Sequence, residues 1–402
     1  MTGNHDDLRS LLKLTLTPGD GPVLCERLLR HFGSAEAVAA ASPAELQRVE
    51  KIGPRTANTI ARGLRESDRL VDEELALASK LGVGYFPRGS DAYPAMLEDI
   101  PSPPPLLGAM GQFDPNGTDR FGVAIVGSRR CSAYGMEQAE RFAGVLASAG
   151  VTIVSGGARG IDTAAHRAAL RLGGRTIAVL GCGLAECYPP ENKELFSKIA
   201  ASGRGAVVSE LPLRTKPASE NFPARNRIIS GLCLGVLVIE ASERSGALIT
   251  ARLAAEEHGR EVMAIPGRVD SPASAGTHRL LKAGGAHLVT EPRDVLELLE
   301  RPALHLHEGN HASLYTQPAS LFAPGAGDGG RKTTAAAPPA PIGDEPIASA
   351  ILGALDEPLT LDEIAQSTGL GIAELRAAMT ALEIRGRIRR VAGRFGRVAS
   401  GF

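Results

Sequence analysis

The sequence predicts an α/β protein in which a doubly wound, mostly parallel sheet follows a helical domain and precedes a winged helix. Three observations predict it. Short apolar, β-branched runs alternate with amphipathic helical stretches from residue 121 to 300, the pattern of strands buried on both faces by crossover helices. Residues 1 to about 70 are helical in pattern throughout. A segment rich in Pro, Ala, Gly and Ser then cuts off a tail with helical stretches and a candidate hairpin. At 402 residues the chain is too long for one ordinary core. The expected divisions are a helical domain (1–80), the sheet domain (85–300), a flexible linker (302–345) and the winged helix (346–402).

In the first domain, Ile52-Gly53-Pro54-Arg55, followed by Ala57, has the look of a helix-hairpin-helix turn. Gly53 suits the hairpin and Ala57 lets two helices approach. Such a turn points backbone N–H groups at a phosphate. A small helical packing domain without nucleic-acid contact fits the same residues. Next comes a proline-rich entry with Tyr93-Pro94 and Pro101 to Pro105, then Leu106-Leu107 as a first or edge strand. Strands are expected at 121–126, 151–154, 175–180, 205–208, 234–239, 261–265 and 286–289. Helices are expected at 134–149, 162–172, 192–201, 223–231, 247–258 and 276–283.

The linker composition cannot bury enough apolar surface to order itself. His305, His307 and His311 lie in or near it, and no metal site is expected there. In the tail, Ile347 to Leu355 suits one helix. Thr360-Leu-Asp-Glu363 is a capping box opening a second, and Gly369 to Gly371 is a turn. Ile372 to Ile384 suits a third helix and Ile388 to Val398 a β wing. Six arginines and no acid fall between Arg385 and Arg397, which suits a DNA-binding wing, a solvated hairpin or a protein-docking surface.

Net charge is −1, so any polyanion contact needs a local basic site rather than a polycationic chain. The cations are 36 arginines and 8 lysines, and arginine offers a planar fork suited to phosphate. The five cysteines form no C-x-x-C pair, which argues against structural zinc or a disulfide framework and for a reducing compartment. The N-terminus has no apolar signal region, and nowhere do about 18 apolar residues run together. A cytoplasmic protein is expected.

In a doubly wound sheet, ligands sit beyond the carboxyl ends of the strands. The unusual residues fall there. Gly127-Ser128-Arg129 follows the first long strand and offers a turn, a hydroxyl and a cationic fork. Gly156-Gly157-Ala158-Arg159-Gly160 follows the second, a glycine loop able to form an anion nest ahead of a helix. Asp162 there suits an N-cap, or more sharply a catalytic acid, and His166 suits packing. Beyond the third strand, Lys193 and Phe196 share one helix face and pair a cation with an aromatic. Phe196 suits the core equally well. Beyond the fourth, Pro223 suits a first helical turn, with Arg225, Asn226 and Arg227 at its positive end. Beyond the fifth, Ser245 and Gly246 open a helix as cap and close-approach residue.

No G-x-x-x-x-G-K-[ST] occurs, and no lysine follows a glycine, which argues against a P-loop ATPase. The glycine loop is not G-x-G-x-x-G. No activated Cys–His pair or Ser–His–Asp order is evident. A groove for single-stranded nucleic acid needs only phosphate clamps and stacking surfaces.

These residues resemble a known family. VGSRR at 126–130, SGGARGIDTAAH at 155–166, GLAECYPPENKELF at 183–196 and NFPARNRIISGL at 221–232 look like DNA-processing protein A, the DprA/Smf family. SGALITARLAAEEHGREVMAIPG at 245–267 and GTHRLLKAGGA at 276–286 extend the likeness over roughly residues 90–300. The resemblance implies an extended Rossmann-like fold, a homodimer, and binding of single-stranded DNA during natural transformation. It also implies loading of the recombinase RecA, dealings with single-strand-binding protein, no cofactor and no enzymatic activity. By resemblance, Ser128, Arg129, the Gly156 to Gly160 loop, Lys193 and Arg225 to Arg227 hold phosphates, and Phe196 stacks on a base. The alternative is a nucleotide-processing enzyme like the phosphoribohydrolases of a related fold. Their P-G-G-x-G-T-x-x-E is missing, since Pro266-Gly267 continues with Arg268.

Overall fold

A computed structural model describes residues 3–17, 22–307, 345–355, 359, 361–368, 375, 388–391 and 394–397. The chain divides into two units, residues 1–321 and 322–402.

The first unit begins with six helices between Gly3 and Leu81. Leu14, Leu28, Val38, Leu46, Ile60 and Leu64 are buried together at their centre. Ser42 closes a full capping box with Glu45 ahead of the short helix Pro43–Leu46. In the hairpin that follows, Gly53 is the N-cap of Pro54–Glu66 with an ordinary extended backbone (φ −82°), and the left-handed residue is Lys51 (φ 68°). Gly53 is thus not the residue that makes the turn tight. Ala57 is fully buried, as close helix packing requires.

Nine strands form one sheet: β1 (Val83–Pro87), β2 (Leu106–Gly111), β3 (Gly122–Val126), β4 (Thr152–Ser155), β5 (Thr176–Val179), β6 (Gly205–Ser209), β7 (Gly235–Val238), β8 (Glu261–Ala264) and β9 (His287–Leu288). Their order is β1-β2-β6-β5-β4-β3-β7-β8-β9. From β6 to β9 every pairing is parallel. β1 and β2 add an antiparallel margin next to β6. Helices cover both faces. On β3, Val123 and Ile125 join one core cluster while Ala124 and Val126 join the other, the alternation of a strand buried on both sides. Strand order reverses at β3, between β4 and β7, and this switch point sets the place of the site.

Four expectations change. Leu106-Leu107 is neither first nor edge, because β1 precedes it and forms the edge. The VGYFP run of β1 is only half-buried and is interrupted by Gly84 and Pro87, so it lacks a strand's usual pattern. The helix expected at 247–258 is α-helical only over Ala247–Arg252 and widens to a π turn at Leu253–Glu257. The helix Pro292–His307 runs through Pro302 into the segment expected to be linker. The helix expected from 223 starts two residues earlier, as Asn221–Gly231, and still carries Pro223 in its first turn.

In the second unit, helices Glu345–Ala354 and Leu361–Thr368 and a hairpin of β10 (Ile388–Val391) and β11 (Arg394–Arg397) are described. Ile351, Leu355, Ile364, Leu375 and Phe395 share a core, and Leu359 bridges to Phe395. This is the expected winged-helix pattern. Thr360, the Gly369 to Gly371 turn and the third helix, apart from Leu375, lie outside the described residues, as do His311 and most of the linker.

Candidate nucleic-acid interface

An open cleft of about 710 Å³ lies over the carboxyl ends of β3, β4 and β7. Its floor is tied together by main-chain bonds at the switch point. Ser128 N donates to Glu240 O at the end of β7 (2.7 Å), and Ile161 N donates to Ser128 O (3.3 Å). The Ser128 hydroxyl accepts from Arg130 N and so caps its own turn. Glu240 is buried, and its carboxylate accepts from Ser132 N and Ser132 Oγ (both 2.7 Å), holding the Gly127–Ser132 loop from the neighbouring strand.

The glycine loop is shaped by close approach. A Cβ on Gly156 would lie 2.7 Å from Arg225 Nη2 and 2.8 Å from Asp162 Oδ2. Gly160 has φ 76°, and a Cβ there would strike the Ser128 carbonyl oxygen. Asp162 is not the N-cap, a position that Gly160 occupies. It reaches back from the helix to accept from Ala158 N (3.2 Å). Burial raises its carboxyl above the ordinary aspartate range, against the pull of Arg225 and of the loop N–H groups. His166 is fully buried against Thr176 (2.7 Å), away from the cleft.

The predicted residues separate into two groups. Gly127, Ser128, Arg129, Asn226, Ser245 and Gly246 come together along the cleft. Ser245 Oγ accepts from Ala247 N at the start of its helix. Arg130 and Arg244, not among the residues expected to bind, line the same cleft and are exposed. Among the described residues, Arg129, Arg130 and Arg244 form no ion pair with an acid.

Arg225 also reaches the cleft but is buried beneath it, with Nη1 donating to the Gly156 and Val179 carbonyls. Burial lowers its pKa to about 10, so it stays charged at neutral pH as a fixed cation under the floor. Gly157 and Arg159 flank this floor, and Arg159 is exposed but paired with Glu191 (2.7 Å). Arg227 faces the other way. It forms a fork on Glu210 (2.7 and 2.6 Å) and donates to Ser102 O, so its charge is spent inside the protein. Lys193 is exposed at the head of its helix but does not line the cleft.

Phe196 is buried under Gly157, whose Cβ would lie 2.7 Å from the ring. Its helix turns that face into a cluster with Leu180, Leu195 and Ile199, so the ring offers no surface to a base in this structure. The exposed aromatic surface belongs instead to Tyr188 and Phe222, both half-buried at the cleft. Burial pushes the Cys131 thiol up, against the activation that a nucleophile needs. No group of three His, Cys, Asp or Glu among the described residues is placed to hold a metal.

The family model for DNA recombination-mediator protein A matches residues 85–300, which span β2 to β9 and most of β1. The chain belongs to the DNA recombination-mediator protein A family. Models of the DprA winged helix and of a SAM-like helix-hairpin-helix tandem match residues 335–394 and 11–66. Protein Smf of Synechocystis is 36% identical over 379 residues, covering 92% of this chain and 93% of that protein. Protein Smf of Escherichia coli is 40% identical over 313 residues, covering 78% and 77%. The X-ray structure of DNA processing protein A from Streptococcus pneumoniae superposes with a TM-score of 0.61 at 37% identity, covering 72% of this chain and 96% of that one. Its likeness extends the family membership to the extended Rossmann-like fold. Among the described residues, no helix is long and apolar enough to cross a membrane.

Proposed function

We propose that this member of the DNA recombination-mediator protein A family binds single-stranded DNA in the switch-point cleft. It holds the strand for transfer to RecA in natural transformation, in the cytoplasm and without catalysing a reaction. One observation carries the reading: Arg129, Arg130 and Arg244 converge on one cleft with no acid among the described residues paired to them, over the buried charge of Arg225. Unpaired cations at a rim beside hydroxyls and glycine-loop amides suit a sugar–phosphate chain. Ser128, Arg129, Asn226, Ser245 and Gly246 then contact the strand, with Gly127, Gly156, Gly157 and Gly160 shaping the floor. Arg159 and Lys193 extend the cationic path outside it, and Arg225 and Arg227 act from beneath as supports. Transfer to RecA requires displacing single-strand-binding protein, and a homodimer presents two such clefts. Exposed Leu288 on the edge strand β9 and exposed Val269 support a self-association surface at that end of the sheet.

The test is fluorescence anisotropy of labelled oligo-dT across a salt series. Replacing Arg129, Arg130 and Arg244 together by alanine is expected to weaken binding of all sequences alike. The slope of log affinity against log salt should fall by about 2, at roughly 0.7 per lost phosphate contact on single strands. A folded triple variant with wild-type affinity and slope would overturn the reading. Displacement of single-strand-binding protein and RecA filament assembly, followed on the same oligonucleotide, test the transfer step.

A further inference from the structure

Tyr188 and Phe222 rest on each other at the cleft, ring centroids 5.2 Å apart and planes inclined by 40°. The Arg129 guanidinium lies over Phe222, 5.3 Å from its centroid, and that of Arg159 lies over Tyr188 at 5.9 Å. The four side chains come from four different connections, after β3, β4, β5 and β6. Sequence-distant segments thus assemble one row: cation, ring, ring, cation. Both rings line the main cleft and a smaller niche beside it, which Arg129, Arg159 and Arg225 also border. The row adjoins the cations already described rather than the buried Phe196.

A guanidinium held over a ring stands on the side where a nucleobase would stack. Among the described residues no carboxylate pairs with Arg129, so moving off Phe222 gives up a cation–π contact and no ion pair. A phosphate beside the base offers Arg129 a stronger partner than the ring and offers Arg159 an alternative to the Glu191 carboxylate. We propose that Tyr188 and Phe222 are the base-stacking platform of the cleft, uncovered when Arg129 and Arg159 turn from the rings to the flanking phosphates. The proposal rests on the cleft being a single-strand groove and adds what the groove recognises: the exposed face of an unpaired base. Every base has such a face, so binding tolerates any sequence. In a duplex those faces are already stacked on their neighbours, so the platform selects against paired strands.

The chain contains no tryptophan, so Phe222→Trp introduces a single fluorescent reporter. Two probes are compared: oligo-dT, and an abasic strand of the same length and charge. Emission from the introduced indole is expected to quench saturably with oligo-dT. With the abasic strand it should hold nearly constant even as anisotropy records binding. Tyr188→Ala and Phe222→Ala should each weaken oligo-dT binding about tenfold, the scale of one lost base–aromatic stack, and leave abasic affinity within about twofold. Tyr188→Phe keeps the ring and should bind oligo-dT more tightly than Tyr188→Ala. Alanine variants that bind oligo-dT as tightly as the wild type overturn the platform while leaving the groove intact. So does unquenched emission during binding, a readout that stands if the alanine variants fail to fold. A wild-type protein that binds neither probe removes the groove itself, and the platform with it.

Discussion

Arg159 carries its own competitor. Three N–H···O contacts of 2.7 to 3.2 Å hold it to Glu191, and both side chains are exposed. The carboxylate occupies the fork that a phosphate would take, so a bound strand must displace it. Glu191→Gln keeps the side chain's shape and removes the charge. We expect oligo-dT affinity to rise about two- to fivefold, within the range of exposed ion pairs, with the gain fading at high salt. Anisotropy at low and high salt checks this, and unchanged or weaker binding would show that Arg159 plays no part. At this scale the site was half legible. Hydroxyls and glycines at strand tips mark a cleft because little else explains them there. An arginine does not announce which way it points. Arg225, Asn226 and Arg227 are consecutive, yet one lies under the floor, one lines the wall and one is clamped by Glu210 seventeen positions upstream. Tyr188 and Phe222 lie close in space but far apart in sequence, so no local spacing reveals the pair.

The segment after β6 shows how an element far from the cleft sets its rim. Residues 210–219 have no regular structure and end at Pro217, Ala218 and Ser219 on the cleft edge. They are pinned at several points. Leu213 O accepts from Ala185 N, Thr215 O accepts from Gly183 N, and Leu213 N donates to Glu74 Oε1 (2.7 Å). Glu74 belongs to the helix Asp68–Leu81 of the N-terminal region, and it is buried, which raises its carboxyl pKa. Tyr85 of β1 donates to the same oxygen. Glu74→Ala leaves the Leu213 N–H buried without its acceptor, at a cost of about 1–3 kcal/mol. We expect a lower Tm, faster hydrogen exchange at Leu213, and severalfold weaker oligo-dT binding as the rim loosens. Glu74→Gln keeps an acceptor oxygen and should restore most of each. If exchange at Leu213 and binding are unmoved in the alanine variant, the N-terminal helix does not support the cleft. The parallel strands were legible because burial on both faces leaves continuous apolar runs. β1 was not, since a half-buried edge strand carrying Gly84 and Pro87 has no such run. The clamp on residues 210–219 joins positions 139 apart, beyond the reach of any periodic pattern.

At the scale of the molecule, two histidines buried in the sheet unit tie its stability to pH. Thr176 Oγ1 donates to the Ile153 carbonyl, so the hydroxyl accepts from His166 Nδ1–H, and Nε2 has no partner in its buried surroundings. A second proton would place a charge in the core beside Arg225, and burial, with that cation, lowers the His166 pKa to about 3. His258 packs on Ser230 (2.9 Å), with Arg260 and Arg227 nearby, and burial lowers its pKa to about 4. In the unfolded chain each titrates near 6.5. Above that value neither state binds the proton and both histidines are neutral. As pH falls below it, only the unfolded chain gains charge, so the stability these two sites contribute is lost progressively between about 6.5 and 4, and for His166 on to about 3. Each contributes a limiting slope of about 1.4 kcal/mol per pH unit. Glu74 and Asp162, with raised carboxyl pKa values, work in the opposite sense, so the net slope is smaller than the sum. Denaturant unfolding between pH 7.5 and 5 is expected to show flat stability above about 6.5 and a decline below it. His166→Asn can keep the donor to Thr176 without the titrating ring. It should remove one histidine's share, more than half of the net acid slope, whatever it does to stability at pH 7.5. An unchanged slope in that variant would mean that His166 is protonated in the folded protein, and that the core around β4 and β5 admits a charge its geometry leaves without a partner.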